Sequence, residues 1–275
     1  MDLVIDCSGL ELETLRSFLQ RSRRNRAVLC DVTAHEVFRP GLAAVNRHRI
    51  LADFPGQVLV LRSMGEIAGL RPRTKGLLGR LVDKDETAAF PRYATALVAG
   101  HSGLINHLPA KSDRASQYLD GLLPVAAQMH DELLAMIRGW DKGDLAALRA
   151  HQRVEAGVLR NIAPMVGRWT KRAFEHLGFG RVPTVERVKY AYPFRLAVCQ
   201  AALTIDWAAK GGLEQRGLFK VRNDMTDCAV AAYATLFDGL LEHDRRLSDV
   251  HRLARQLLIG AFKVPIAEGF QVARE

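Results

Sequence analysis

Carboxylate side chains in this sequence stand at the ends of apolar runs and at the starts of helices. Asp6 ends the first apolar run of the chain, and Asp31 ends the second, shortly before Glu36. Much later in the chain, Asp227 precedes an alanine-rich run and Asp244 follows the next short apolar run. Hard divalent cations prefer oxygen ligands, and a carboxylate-bound cation suits phosphodiester hydrolysis. The pattern therefore predicts one magnesium site that both ends of the chain build.

Near the start of the chain, the apolar runs that end in these acids alternate with segments that have the periodicity of helices. Residues 3–7, 27–31 and 57–62 are typical of buried strands, and residues 11–22 and 33–47 are predicted to be helical, with the second helix stopped near Pro40 or restarted after it. Strands that alternate with helices form parallel sheets through right-handed crossovers. Ligands bind beyond the carboxyl ends of such strands, so this fold would bring the acids to one edge of the sheet.

A long helical stretch interrupts the alternation, because residues 85–212 carry apolar stripes at helical spacing without strand-like runs. The α/β pattern then resumes, with a helix, a strand, a second helix and a final edge strand predicted over 225–236, 239–242, 246–258 and 261–264. We therefore predict an α/β fold, a parallel sheet flanked by helices, with a mostly helical insertion. The predicted parts are a first α/β part, the insertion and a second α/β part: 1–84, 85–212 and 213–275.

Each of these acids also has a purely local interpretation. Glu36 fits a capping box, in which it would satisfy backbone donors of its own helix. Asp224 and Asp244 could be N-caps, with Asp227 in a first helical turn, and Asp6 could close a turn. Local capping gives no reason for several carboxylates to converge on one edge, where they would repel one another at low dielectric. A bound divalent cation removes that penalty.

The order of the acids resembles that of the PIN-domain nucleases. Members of that family have an Asp that ends the first strand and a Glu in the second helix. A late helix then opens with Asp, and a following strand leads to another Asp. Asp6, Glu36, Asp227 and Asp244 follow that order here, over roughly residues 1–65 and 220–265.

This resemblance implies a metal-dependent nuclease that holds Mg²⁺ or Mn²⁺, with RNA as the expected substrate and a PIN-like sheet as its scaffold. The implied catalytic and metal-binding residues are Asp6, Glu36, Asp227 and Asp244, with Asp224 as a further ligand and Ser8 and Asp238 as auxiliary residues. An antitoxin-like or other protein partner, the oligomeric state and the choice between endonuclease and exonuclease action stay open.

The chain is basic, with a formal net charge of +9 at pH 7. Such a charge favours a polyanionic partner, either nucleic acid or an anionic membrane surface, although a solvated basic face is the plain alternative. One basic stretch contains glycines that would let backbone amides approach phosphates. We predict nucleic-acid contacts for its cations, Arg71, Arg73, Lys75 and Arg80.

The spacing of the cysteines and the hydropathy of the chain indicate its metal chemistry, its compartment and its relation to membranes. The four cysteines lack zinc-site spacing, which argues against a zinc site and predicts free thiols in a reducing, cytoplasmic setting. The chain begins without a basic leader followed by an apolar run, and no apolar run approaches the length of a membrane span. We therefore expect neither a signal peptide nor a membrane partner.

Two other functions compete with the nuclease. The α/β domain could be a non-catalytic scaffold whose helical insertion binds a protein or nucleic acid. A phosphatase is the third option, since Asp83 and Asp85 loosely fit an Asp-x-Asp nucleophile motif. The motif does not follow a clean strand, so we interpret it as the start of a helix.

Overall fold

The structure, a computed structural model, describes residues 1–73, 75–151, 156–177, 182–211 and 213–264. Within these residues the strands are β1 (Asp2–Ile5), β2 (Arg26–Leu29), β3 (Val58–Val60) and β4 (Gly239–Leu241). The helices are α1 (Glu13–Arg21), α2 (Asp31–Phe38), α3 (Ala44–Asp53), α4 (Met64–Ala68), α5 (Leu77–Leu81), α6 (Lys84–Val98), α7 (Ser102–Ile105), α8 (Leu108–Gly121), α9 (Leu123–Arg138), α10 (Lys142–His151), α11 (Ala156–His176), α12 (Val185–Val188), α13 (Tyr192–Lys210), α14 (Leu218–Ala234) and α15 (Arg245–Gly260).

The strands form one parallel sheet in the order β3-β2-β1-β4. In the register, Val4 of β1 pairs with Val28 of β2 on one side and with Leu240 of β4 on the other. Successive strands first add outward from β1 to β3, and the last strand then adds to the opposite side of β1. The direction of winding therefore reverses between β1 and β4.

The two faces of the sheet are buried against different helices, because alternate strand residues point to opposite faces. Leu3 and Ile5 belong to a core shared with α1, α3 and α6. Val4 and Val28 belong to a larger core shared with α13, α14 and α15. Burial on both faces explains why the strands are continuous apolar runs without polar alternation.

Helix α13 is the central element of the larger core, and most of its residues are buried. It packs against α11, α14 and α15, while α6 packs against α3 and β3. The first and last long helices of the insertion thus complete the two cores of the sheet. The prediction of an α/β fold with a helical insertion is confirmed, and the insertion shares its cores with the sheet.

The interpretation of the Asp-x-Asp motif as a helix start is confirmed. Asp83 is the N-cap of α6 and accepts hydrogen bonds from the N–H groups of Asp85 and Glu86. The Asp-x-Asp motif is therefore a helix start. Trp140 and Trp207 are buried in the larger core, and Trp169 is partly buried against it. Within the described residues, no helix combines the length and apolarity needed to cross a membrane.

Two predicted boundaries are wrong. Helix α14 begins at Leu218, well before the predicted start at residue 225. Its N-cap, Gly217, makes no side-chain capping bond, so the sequence carried no capping signal there. The predicted edge strand over 261–264 is absent, and these residues form a turn and irregular backbone instead. Its predicted end, Pro265, lies outside the described residues.

Candidate active site

The site lies where the winding of the sheet reverses, at the carboxyl ends of β1 and β4. Crevices at such reversal points are the usual ligand sites of open parallel sheets. Asp6 directly follows β1, and its N–H donates to the carbonyl of Leu241 at the end of β4 (3.1 Å). The chain then passes from β4 to Asp244 within three residues. A carboxylate therefore follows each of the two strands at the same end of the sheet.

A short hydrogen-bonded chain fixes the carboxylate of Asp6. Its Oδ2 accepts from the N–H of Ser8 (3.0 Å) and from the Ser8 hydroxyl (2.6 Å). The same hydroxyl oxygen accepts from the N–H of His243 (3.0 Å). Asp6 is the N-cap of the short turn Cys7–Gly9, so it closes its turn, as the local interpretation predicted, and it is only 6% exposed. Ser8 joins the β1 and β4 segments, which gives the predicted auxiliary residue a positioning role.

Glu36 is not part of a capping box, contrary to the local interpretation. Helix α2 begins at Asp31, and the hydroxyl of Thr33 donates to the carbonyl of Ile5 (3.0 Å) in place of a capping bond. The Glu36 carboxylate accepts instead from the hydroxyl of Thr226 on α14 (3.5 Å). This contact brings the second helix of the chain against the helix that carries Asp227.

Asp227 lies in the third turn of α14, so the prediction that it opens its helix is wrong. Burial raises its pKa well above its ordinary value, and the negative charges of Asp6, Glu36, Asp244 and Asp224 raise it further. Burial and the charge of Asp6 likewise raise the pKa of Glu36 to about 7. Carboxylates from both ends of the chain therefore raise one another's pKa values.

Asp244 has a structural role as well as a place at this edge. It is the N-cap of α15, and its Oδ1 accepts from the N–H groups of Arg246 (2.6 Å) and Leu247 (3.1 Å). The local interpretation of Asp244 as a cap is thus confirmed. Its charge still contributes to the raised pKa of Asp227, so capping and proximity to the crevice are compatible.

Two arginines at this edge were not identified from the sequence. Arg47 of α3 donates to the backbone carbonyl of Glu36 (2.8 Å), and its Nε lies 3.4 Å from Glu11 Oε1. The charges of Arg47 and Arg39 lower the pKa of Glu36 and partly oppose the effect of burial. No motif marks these residues, because only the packing of α3 on α2 brings Arg47 to the site.

Asp224 is placed differently from the other predicted ligands. It is buried on α14 between two cations, with Oδ2 2.7 Å from Nε of Arg216 and Oδ1 2.7 Å from Nη1 of Arg246. Burial nevertheless raises its pKa to about 6. Both oxygens face arginines, so this carboxylate ties α14 to the start of α15. An N-cap role is excluded, since Asp224 lies in the second turn of α14.

Asp238 lies at the amino ends of the strands, away from the other carboxylates. The prediction that it is an auxiliary residue of the site is therefore wrong. Its carboxylate accepts from the N–H of Asp2 (2.7 Å), and Asp2 pairs with Arg26. These residues stand at the amino ends of the strands. The four residues of β1 separate Asp2 from Asp6 by about 13 Å. Asp238 precedes its parallel strand, and the carboxylates of the site follow theirs.

The basic stretch after β3 is an exposed loop. Arg71, Arg73 and Lys75 are exposed, and the Arg80 guanidinium donates to the carbonyls of Arg71 (2.8 Å) and Arg73 (2.6 Å). Arg80 thus holds the loop in place. The loop carries cations on the surface, as the prediction requires, and its binding to nucleic acid stays a prediction.

The two histidines beside the predicted ligands differ in environment. The ring of His35 stacks on Tyr118 with centroids 4.0 Å apart, and burial lowers its pKa. His243 is exposed. The stacked ring of His35 thus packs α2 against α8.

The donor set suits a hard cation, because carboxylate oxygens are the ligands that Mg²⁺ and Mn²⁺ prefer. The mutual raising of carboxyl pKa values is also what a cation would relieve. Among the described residues, no three His, Cys, Asp or Glu side chains are grouped closely enough to hold a metal ion as placed.

Comparison of the chain with protein-family models, with curated proteins and with solved structures finds no match. The function of this chain is therefore inferred from the residues of the site.

Proposed function

We propose that this protein is a metal-dependent nuclease that hydrolyses phosphodiester bonds in RNA. The observation that supports the proposal is the meeting of four segments at the carboxyl ends of β1 and β4. The N–H of Asp6 donates to the carbonyl of Leu241 (3.1 Å), and Glu36 accepts from Thr226, the neighbour of Asp227 (3.5 Å). These segments carry Asp6, Glu36, Asp227 and Asp244 in a protein that is otherwise basic, and burial together with the charges of the other carboxylates raises the pKa of Asp227. A carboxylate cluster that is unfavourable when charged is a reasonable place for a divalent cation.

Asp6, Glu36 and Asp227 would hold Mg²⁺ or Mn²⁺, with Asp244 at the rim of the crevice. When bound, such an ion lowers the pKa of a water molecule and stabilises charge on the leaving oxygen. Ser8 orients the carboxylate of Asp6, and Thr226 orients that of Glu36. Arg47, beside Glu36, adds positive charge near the place where a phosphate would sit.

The arginine-rich surface supplies the affinity for a polyanion in this proposal. The exposed loop cations Arg71, Arg73 and Lys75 would contact phosphates, while Arg80 keeps the loop ordered. The cysteines at positions 7, 30, 199 and 228 are free thiols, which is in keeping with a reducing, cytoplasmic setting.

Cleavage of end-labelled single-stranded RNA tests the proposal. We expect cleavage with Mg²⁺ or Mn²⁺, none with EDTA, and none for Asp6→Asn or Asp227→Asn at equal metal. Asp131→Asn is the matched control, because Asp131 is an exposed carboxylate on α9 and the variant should cleave like the natural protein. Cleavage indifferent to metal, chelator and Asp6→Asn would contradict the proposal. Metal-independent RNA binding without turnover would support the non-catalytic scaffold instead.

A further inference from the structure

Phe219 is an exposed aromatic side chain in the first turn of α14. It is 61% exposed. Its neighbour Leu218 is 42% exposed. The buried residues of α14 start with Val221, so the side chains of Leu218 and Phe219 are not part of its buried face. The packing of α14 therefore does not explain why an aromatic residue stands here.

The ring of Phe219 rests on a guanidinium that is itself immobilised. The Cζ atom of Arg222 lies 5.3 Å from the centroid of the ring, within the range of a cation–π contact. Arg222 is only 2% exposed, and its Nη1 lies 3.1 Å from Asp120 Oδ1. Its Nε and Nη2 donate to Oδ1 of Asn223. The guanidinium thus covers one side of the ring and holds it, while the exposed surface of the ring faces solvent.

The ring stands on the same helix as a residue of the candidate active site. Phe219 precedes Asp227 by eight residues, which is about 12 Å along a helix axis. Lys220 precedes Asp227 by seven residues, or close to two full turns, so both project from the same face of α14. Lys220 and Asn223 are exposed. A polar and cationic strip therefore leads along α14 from the site to the aromatic ring.

We propose that Phe219 is a stacking platform for a base of a single-stranded nucleic acid, and that Lys220 contacts a phosphate of the same strand. This inference rests on the proposed nuclease function and names the form of its substrate. An exposed ring backed by a fixed cation offers a flat surface to any unpaired base, and a nearby lysine attracts the backbone. In a duplex the bases are already stacked on one another, so the platform favours single strands.

Binding of a short fluorescein-labelled single-stranded RNA of mixed sequence, measured by anisotropy in EDTA, tests the platform without catalysis. Phe219→Leu keeps an apolar side chain but removes the π face, and we expect affinity to fall about tenfold. Phe219→Trp should bind at least as tightly as the natural protein. The control is Ile259→Ala, because Ile259 is an exposed apolar residue (53%) near the far end of α15. Ile259→Ala should leave binding unchanged.

The phosphate contact has its own readout. Affinity falls as salt rises, so a plot of log affinity against log salt has a negative slope. Lys220→Gln should make this slope less steep by about 0.7, the value for one phosphate contact to a single strand. Lys171→Gln removes an exposed lysine of α11 and should leave the slope unchanged. Equal slopes for Lys220→Gln and the natural protein would remove Lys220 from the proposal.

The outcomes separate the platform from the nuclease. Phe219→Leu binding as well as the natural protein would overturn the platform, whether or not the protein cleaves RNA. Equal affinity for a duplex of the same sequence would also overturn it. Phe219-dependent binding by a protein that cleaves nothing would support the platform and contradict the nuclease.

Discussion

The hydroxyl of Thr226 lies 3.5 Å from Oε1 of Glu36, which connects two helices whose residues are 190 positions apart in the chain. The single proton of this hydroxyl is shared with the carbonyl of Asn223 in its own helix, which is the nearer acceptor (2.7 Å). The contact between Thr226 and Glu36 lowers the pKa of Glu36, whereas burial raises that pKa by more. Thr226 thus adjusts the charge of a proposed metal ligand without binding metal itself.

Thr226→Val tests this adjustment. Valine has nearly the shape of threonine but no hydroxyl, so the pKa of Glu36 should rise above its present value of about 7. The measurement is an NMR titration of Glu side-chain carboxyl carbons in metal-free protein. Thr226→Ser keeps the hydroxyl and should keep the pKa. An unchanged Glu36 titration in Thr226→Val would show that the hydroxyl does not act on this carboxylate.

Asp227→Asn should stabilise the metal-free protein at high pH. The folded-state pKa of Asp227 lies well above the ordinary 3.8, so the folded protein holds this proton more tightly than the unfolded chain does. Stability from this group is therefore present at low pH and is lost as pH rises through the folded pKa. Removing the acid should raise the free energy of unfolding by about 1–3 kcal/mol at pH 8.

The pH dependence of the difference between variant and natural protein is the informative quantity. Histidines contribute slopes of the opposite sign, since burial lowers the pKa of His251 to about 4. Subtracting the two denaturation curves in EDTA cancels that contribution. The gain of Asp227→Asn should shrink towards zero near pH 4. In Mn²⁺ at pH 8, only the natural protein should gain thermal stability. A variant less stable than the natural protein at pH 8 in EDTA would contradict the electrostatic account.

Asp224→Asn should destabilise the fold rather than abolish metal binding. Asp224 is buried between Arg216 and Arg246, and its loss as an anion leaves two cations without their partner. Breaking such a buried pair costs about 3–5 kcal/mol, which urea denaturation would measure. Mn²⁺ affinity of the folded variant should stay close to that of the natural protein. A large loss of Mn²⁺ affinity with unchanged stability would restore Asp224 to the ligand set.

Ser8→Ala should weaken metal binding more than it weakens the fold. The hydroxyl of Ser8 bonds both Asp6 and the backbone of His243, so its loss frees the Asp6 carboxylate to rotate. Partners that orient a ligand typically contribute 10–100-fold to metal affinity or activity, and we expect roughly that loss. The cost in stability should be about 1 kcal/mol, because the residue is exposed. Isothermal titration with Mn²⁺ and a urea curve measure the two effects, and equal Mn²⁺ affinities would exclude the orienting role.

The sheet and its edge were predictable from the sequence because the signals are strong and local. Buried parallel strands must be continuous apolar runs, and the runs before Asp6 and Asp31 have that character. Parallel order then places whatever follows each strand at one edge. The same reasoning would have excluded Asp238, because it precedes β4 and lies at the amino end.

The features that the sequence did not reveal depend on tertiary packing. Helix α14 starts at a glycine N-cap without a capping side chain, so Asp224 was the more typical helix start. The partners of Asp224 come from the segment before α14 and from α15, and no spacing rule predicts such ion pairs. Arg47 reaches the site only because α3 packs on α2. Side-chain partners of this kind follow from the fold and not from a motif.

Crystals soaked with Mn²⁺ and measured at the manganese absorption edge test the central claim most directly. The account predicts an anomalous peak in the crevice between β1 and β4, with carboxylate oxygens of Asp6 and Asp227 as ligands of one ion or of a close pair. Loss of that peak in Asp227→Asn crystals would support the assignment. Carboxylates of Asp6 and Asp227 too far apart to share an ion or a close pair (roughly 10 Å or more), with no peak between them, would contradict it.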